Sequence, residues 1–455
     1  MSSSLFLQGT GAWMFGYLGR NRIRLRIRSY LGKHFPLLLS LTVLFSGLVN
    51  AQPEAALSLR QCIELALDNS PAIRSQARQV DAAAAQYREA RSGYYPELSA
   101  AAGHQQFFRE GYNYREQSAG VSLDWPLGDW LFDSAAPRAA EMRARQAALD
   151  DQRLMLTLRV AGLYGQILQT GLQQQQLRER QSLLNNHLQI NRALWEAGVR
   201  SRLDLLQTQS AQALLRQEAS RIAEQERVLQ EALNRLLKRD ADAPLALQPF
   251  PELPSGIDSL PPPPAQLYPL LSNTPLMRSL NLQIEAESLR REALRAARFP
   301  HLQLSGGFVA DADPVGDGNY GRIGLEISLP LLQWGRSKFQ NQAIRANIGV
   351  MEAAQAAALQ ELTIELDTRL ARLTQLQQLL RLQQEQLTVT REASTLAAAD
   401  YQAGIVTNLE FLAAQQDLSA NRLQIRQTRL AIRLTLIDIY ARTGQIEKIN
   451  EITGE

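Results

Sequence analysis

The chain has 455 residues, of which 48 are basic and 45 are acidic, so its formal net charge is +3. Residues 1–34 contain six basic and no acidic residues, so the rest of the chain carries a net charge of −3, which does not indicate a nucleic-acid surface. The single cysteine, Cys62, excludes an internal disulfide and a cysteine zinc site, and its helical surroundings indicate a core position. The sequence has no Gly-x-Ser-x-Gly, His-Glu-x-x-His or P-loop motif, so we predict no enzymatic activity, no metal and no cofactor.

An apolar run at residues 35–49 follows the basic segment and ends in Val49-Asn50-Ala51. A basic region, an apolar core of about fifteen residues and a small final residue are typical of a secretory signal. A membrane anchor is the alternative, but the run is short for a spanning helix and no charged segment follows it. We therefore predict a signal peptide at residues 1–51.

The mature sequence carries the same landmarks twice and in the same order. The matching segments are 67–75 with 271–279, 94–103 with 298–307, and 120–130 with 324–334, each pair 204 residues apart. A unit of about 200 residues is too long for a solenoid repeat and indicates two similar halves. We place them at residues 52–239 and 267–443, joined by a proline-rich segment at 240–266 and followed by a tail at 444–455.

Each half is predicted to begin with helix and then to change to strand. Ser70 and Thr274 are suited to cap helices whose first positions are Pro71 and Pro275. The helical pattern stops at the next prolines, after which the residues alternate between apolar and polar. We predict β-hairpins at 97–126 and 301–330.

The predicted strands have one apolar face. In residues 118–125, Ala119, Val121, Leu123 and Trp125 share a side, and residues 322–329 alternate in the same way. Strands of roughly ten residues suit a tilted crossing of a bilayer. The segments 109–117 and 311–321 are predicted to be polar loops. The second contains three aspartates, but it lacks a ligand glutamate at the calcium-loop spacing, so we interpret it as a hairpin turn.

Very long helices are predicted to follow each hairpin, at 134–196 and 336–402, each roughly 100 Å in length. The second carries a leucine seam of the coiled-coil type, formed by Leu359, Leu362, Leu366, Leu370, Leu373, Leu376 and Leu380. Tight turns at 196–204 and 402–410 then lead into shorter returning helices at 202–238 and 408–442. The fold class is thus mainly α with a small β part and an internal repeat.

Four strands are too few to seal a membrane barrel. The edges of an open sheet leave backbone groups unpaired in lipid, and bacterial barrels close with eight or more strands. Three chains would supply twelve strands and a passable lumen. The helices would then project into water as a long barrel, around which the segment 240–266 is either a belt or a plain linker.

The doubled order of elements and the doubled turns AGVRSRLDLLQTQ and AGIVTNLEFLAAQ resemble the TolC-type outer-membrane efflux proteins over nearly all of residues 55–445. The resemblance implies a homotrimer with one 12-stranded barrel in the outer membrane and a helical tunnel in the periplasm. It also implies a passive duct for efflux or type I secretion. Its expected partners are a periplasmic adaptor, an inner-membrane pump of the RND or ABC type and the outer-membrane lipid.

The resemblance further implies that the two turns of each chain close the tunnel at rest and meet the adaptor. The family has an arginine after the second glycine, where this chain has Val406; Arg200 stands at the equivalent place in the first repeat. The turn residues expected to contact the adaptor are Gly198, Val199, Ser201, Gly404, Ile405 and Thr407.

The pore residues implied by the family map onto the same turns. An aromatic residue that bonds an acid matches Tyr401 and Asp204, and one acid of the pore ring matches Glu410, whereas the next ring position is Ala413. Carboxylates repeated around a narrow aperture favour cations. The alternative is that both acids simply stabilise helix N-termini.

One rival interpretation uses the same helices without a pore. A periplasmic adaptor or coiled-coil scaffold also contains long helical hairpins, but an adaptor has a single hairpin flanked by compact β domains. Here the hairpin is doubled and the strands are few and long enough to span a bilayer. The cargo stays open between drugs, metal ions, metabolites and proteins.

Overall fold

Two long helices dominate the chain, one in each half. The computed structural model describes residues 56–109, 112–127, 133–251, 263–312, 318–445 and 448–449. The helices α3 (Ala136–Glu196) and α7 (Arg336–Ala403) have 61 and 68 residues. At 1.5 Å per residue they are about 90 and 100 Å long, and their predicted bounds are confirmed to within two residues. The predicted signal peptide lies outside the described residues.

Each half contains the same six elements in the same order, which confirms the internal repeat. The first half contains α1 (Leu59–Asn69), α2 (Pro71–Ser92), β1 (Glu97–Arg109), β2 (Tyr112–Pro126), α3 and α4 (Arg202–Leu237). The second contains α5 (Pro264–Leu271), α6 (Pro275–Ala296), β3 (His301–Ala312), β4 (Tyr320–Ser328), α7 and α8 (Asn408–Arg442).

The helix starts predicted from the sequence are confirmed. The Ser70 hydroxyl accepts the backbone N–H of Ile73 at the start of α2, and Thr274 accepts that of Met277 at the start of α6. Pro71 and Pro275 occupy the first turns, where a missing N–H costs nothing. The shorter helices α2 and α4 both pack on α3 and α8 packs on α7, while α6 packs on both long helices. Among the described residues, no helix is long and apolar enough to cross a membrane.

The largest core cluster lies where α1 and α5 meet the long helices. Cys62 is fully buried there, which confirms its predicted core position. The predicted leucine seam of α7 packs against this core from Leu362 to Leu380, but Leu359 is 39% exposed and lies outside it. The burial of this seam positions α8 along α7 and so fixes where the second turn lies.

The described part of the proline-rich segment, residues 240–251, packs on the helical core. Leu247 forms a parallel bridge with Leu57, and the hydroxyl of Tyr164 donates to the carbonyl of Gln248. The guanidinium of Arg433 lies 5.2 Å from the centre of the Phe250 ring. These contacts tie the connection between the two halves to the helices of both.

The four described strands form one antiparallel sheet in the order β1-β2-β3-β4. The register places Val121 opposite Phe308 and Leu304 opposite Leu325, so the apolar residues of successive strands share one face. Large side chains of this face are exposed, and Ile323 reaches 89%. An apolar sheet face of this kind requires a covering layer.

The predicted loop at 109–117 was wrong, because β2 already begins at Tyr112, which pairs with Arg109. Residues 112–117 are polar, and the apolar alternation that marks a lipid-facing strand stops before them. Backbone pairing continues where that alternation ends, because it depends on the partner strand and not on side-chain polarity. In the second hairpin, β4 likewise begins two residues earlier than predicted, at Tyr320.

Candidate functional site: the tip of the helical hairpins

The turn between α3 and α4 reverses the chain through one left-handed residue. Gly198 has φ 72°, and an added Cβ would meet no atom within 4 Å, so the glycine is required for its backbone conformation. The N–H of Val199 donates to the carbonyl of Leu194 at 2.8 Å, which closes the end of α3. The Ser201 hydroxyl then accepts the N–H of Asp204 and starts α4.

The turn between α7 and α8 repeats this geometry. Gly404 has φ 77°, and the N–H of Ile405 donates to the carbonyl of Asp400 at 2.8 Å. The Thr407 hydroxyl accepts the N–H of Glu410, whose carboxylate accepts the N–H of Thr407 at 2.7 Å. Both turns start a helix in the same way and so form matching tips. These tips lie at the end of the long helices that is opposite to the sheet.

A buried polar cluster joins the two tips of one chain. We call it the tip network; it consists of His187, Asn191, Thr208, Tyr401 and Asn408. The Tyr401 hydroxyl donates to Asn191 Oδ1 at 2.6 Å, and Asn191 Nδ2 donates to Thr208 Oγ1 at 2.9 Å and to Asn408 Oδ1 at 3.2 Å. All five side chains are at most 8% exposed, and they come from α3, α4, α7 and α8.

His187 completes the tip network. Its Nε2 lies 2.6 Å from Asn408 Oδ1; because an amide oxygen only accepts, this ring nitrogen carries a proton. The ring packs 4.7 Å from Phe411 and 5.3 Å from Tyr401, measured between centres. Burial lowers the pKa of His187, so the ring is neutral at pH 7; the hydrogen bond to Asn408 opposes this shift, Arg200 adds to it and Asp204 opposes it.

Arg200 connects the first turn to α7. Its guanidinium donates to the backbone carbonyl of Tyr401 at 2.7 Å, and its central carbon lies 4.4 Å from the centre of the Tyr401 ring. A guanidinium over an aromatic face is attracted by the ring's electrons. The equivalent position in the second repeat, Val406, carries no charge, so this cross-link runs only from the first turn to the second hairpin.

The predicted hydrogen bond between Tyr401 and Asp204 is not present. A phenol has one proton, and Tyr401 gives it to Asn191. Burial raises the pKa of Tyr401, so the hydroxyl keeps this proton. Asp204 takes part through its backbone instead, since its carbonyl accepts from Thr208 at 2.9 Å and from Asn408 at 3.2 Å.

Glu410 is exposed at the second tip and lies at the third position of α8. The backbone N–H of Thr407 and, to a smaller extent, its hydroxyl donate hydrogen bonds that lower the pKa of the Glu410 carboxyl group. Asp204 holds the matching position of α4 and is half-buried. The structure thus places both predicted pore acids at the tips and in helix-starting positions.

Sequence reasoning missed most of the tip network. A signal was available, because Asn191 follows Leu177 and Leu184 at intervals of seven residues, and both leucines are buried in the seam of α3. A polar residue at such a seam position fixes the register of the helices that pack there. Its partners on α7 and α8 lie more than 200 residues away, which no local pattern reveals.

A sequence model described as outer membrane efflux protein matches the chain twice, over residues 62–238 and 267–445. The chain belongs to the outer membrane efflux protein family. The two matched segments correspond to the two halves of the fold, so this membership confirms the resemblance, the fold class and the outer-membrane location predicted from the sequence. It favours the outer-membrane channel over the periplasmic adaptor, and the family is one of transport ducts.

Individual outer membrane efflux proteins are similar over most of their length. OprJ of Pseudomonas aeruginosa is 28% identical over 427 residues, covering 85% of this chain and 84% of OprJ. CyaE of Bordetella pertussis is 26% identical over 318 residues, covering 65% of each chain. The solved structure of VceC from Vibrio cholerae has a TM-score of 0.71 at 19% identity, covering 84% of this chain and 96% of VceC, and shows the shared fold.

Proposed function

We propose that three copies of this chain form one passive duct from the periplasm to the outside. The observation that carries the proposal is that the two ends of the long helices have different features. At one end lies an open sheet with an exposed apolar face, and at the other end two tips are joined by a buried network. When several copies join their sheets, the backbone groups at the sheet edges become hydrogen-bonded. Three copies supply twelve strands.

The tips are the resting closure of this duct. The tip network supports this proposal, because it holds both hairpins of one chain together through fully buried hydrogen bonds. Such a network is stable only while every member is paired, so it favours a defined closed arrangement over intermediate ones. Opening requires the two hairpins to separate and their polar groups to find water.

The same tips are the contact for a periplasmic adaptor, which links the duct to an inner-membrane pump of the RND or ABC type. The exposed apolar side chains Val199 and Ile405, 67% and 73% exposed, support this proposal. Val199 lines a groove of 430 Å³ together with Leu183, Leu194 and Phe411 among others. Apolar surface at the end of a water-exposed helical barrel is typical of a docking site.

Site-specific photocrosslinking in cells tests the adaptor contact. A photoreactive residue at Val199 or Ile405 is expected to capture a periplasmic adaptor, identified by mass spectrometry. Val350, which is 69% exposed on α7 and far from the tips along the chain, is the matched control and is expected to capture none. Capture from Val350 alone, or from no position, would contradict docking at the tips.

A further inference from the structure

We propose that His187 makes the closed tip sensitive to acid, so that protonation of its ring separates the two tip hairpins. The inference rests on the proposed function, in which the tips close the duct. It depends on the position of the ring: His187 is 8% exposed and contacts Asn408 and Phe411 of α8 as well as Tyr401 of α7. His187 is therefore part of the contact that must break.

The polar partners of His187 are amides and not carboxylates. Nε2 donates to Asn408 Oδ1, and Asn191 Nδ2, itself a donor, lies 3.1 Å from the same nitrogen, so these surroundings disfavour added positive charge on the ring. Protonation adds a positive charge beside the stacked Tyr401 and Phe411 rings, whose attraction for a cation is weak compared with the hydration that the ring lacks, and it supplies no anionic partner among the described residues. A charge buried without such a partner is costly.

The surrounding charges do not offset that cost. On α3, Arg180 lies in the same groove, and burial lowers its pKa; in the turn, Arg200 opposes a positive ring. On α4, Asp204 is the nearest favourable charge, but its contribution is the smallest of those that act on the pKa of His187. On α7 the facing group is the Tyr401 phenol, and on α8 the carboxylate of Glu410 is bonded to Thr407.

The direction of the acid response follows from linkage. An open tip hydrates His187, which then titrates near the ordinary histidine pKa of about 6.5, whereas burial lowers its pKa in the closed tip. The closed tip is therefore most stable at pH values above the ordinary histidine pKa, and its stability falls as the pH drops below that pKa. One proton per chain lowers the ratio of closed to open tips by at most about tenfold per pH unit, and each of the three copies in the proposed duct contributes one such proton.

Single-channel recording in planar bilayers tests the inference with the full-length mature protein. We expect wild-type channels to open more often at about pH 5.5 than at about pH 7.5. His187→Gln is expected to abolish this response, because the glutamine amide donates to Asn408 but does not titrate. His301→Gln is the matched control; it changes a histidine of β3, outside the tip, and should respond like the wild type.

A second variant keeps the inference testable if His187→Gln leaves the tip permanently open. Asn408→Asp changes the first residue of α8, where an acid is favoured, and it gives a protonated His187 a carboxylate partner. We expect acid to stabilise closure in this variant instead of opening it. If acid still opens the channel in both variants, the role of His187 is overturned but the proposed duct is not. If no channels form at any pH, both the proposed duct and the role of His187 are overturned.

Discussion

Asn191 occupies a position of α3 at which the two preceding heptads carry leucine. A buried amide at this position costs stability compared with leucine, and it is retained where a defined arrangement of helices is needed. Here the amide binds a tyrosine of α7 and an asparagine of α8. At the scale of single residues, the tip is therefore built for a defined arrangement of helices and not for maximal stability.

The two tip acids allow a direct test of the predicted carboxylate ring. Asp204→Asn with Glu410→Gln removes both charges, and glutamine retains the capping box with Thr407, so the start of α8 is preserved. We expect the reversal potential in a salt gradient to shift toward that of a non-selective pore, with cation preference falling several-fold.

Glu89→Gln on α2 is the control for this charge removal, since it deletes an exposed acid outside the tips. It is expected to leave selectivity unchanged. If the double tip variant also keeps the wild-type selectivity and conductance, the acids serve only to stabilise the helix starts, and the ring does not exist.

Residues whose roles are local were predictable from the sequence, and residues whose roles depend on distant partners were not. Ser70 and Thr274 were identified as caps because a cap needs only the next helical turn. The partner of Tyr401 was assigned to Asp204, but the structure places Asn191 there, and the two lie 210 positions apart. Choosing between two nearby acceptors requires the packing of four helices, which spacing alone does not give.

Within the elements, the sheet is held by close approach between strands at particular glycines. An added Cβ at Gly307 would lie 3.0 Å from the backbone carbonyl oxygen of Val121, whereas at neighbouring Gly306 the nearest atom, the carbonyl oxygen of Arg322, is 3.9 Å away. Backbone of the adjacent strand cannot move aside as a flexible side chain can. Gly307 therefore has less room for a side chain than Gly306.

We expect Gly307→Ala to destabilise the sheet by about 1–3 kcal/mol through overpacking. Gly306→Ala is its matched control and is expected to be neutral or slightly stabilising, because alanine loses less backbone entropy. The measurement is the temperature at which the detergent-extracted assembly dissociates on an SDS gel. Equal midpoints for the two variants would show that the spacing of β2 and β3 is not fixed at Gly307.

The ends of elements were predicted well for helices and poorly for strands. The long helices end at turns with glycine and a capping residue, which are visible in the sequence around Gly198 and Gly404. The start of β2 at Tyr112 has no such marker, because its first residues are polar and only their pairing with β1 makes them strand. Strand ends beyond the apolar belt thus depend on the partner strand.

At the scale of the whole molecule, one chain leaves its sheet unfinished. The strands β1 and β4 lie at the edges of the described sheet, and its apolar face is exposed, with Leu98 at 70% and Ile323 at 89%. Unpaired backbone groups are not tolerated in lipid, so in the proposed duct other copies complete the sheet. The duplication already present in the chain halves the number of copies needed.

The oligomeric state of the mature protein extracted from outer membranes tests this account most directly. Native mass spectrometry in detergent is expected to give a mass of three chains, because three copies bring the strands of the shared barrel to twelve. A single chain that remains folded and soluble without detergent would contradict the account, since it would show that the exposed sheet needs neither lipid nor neighbouring copies.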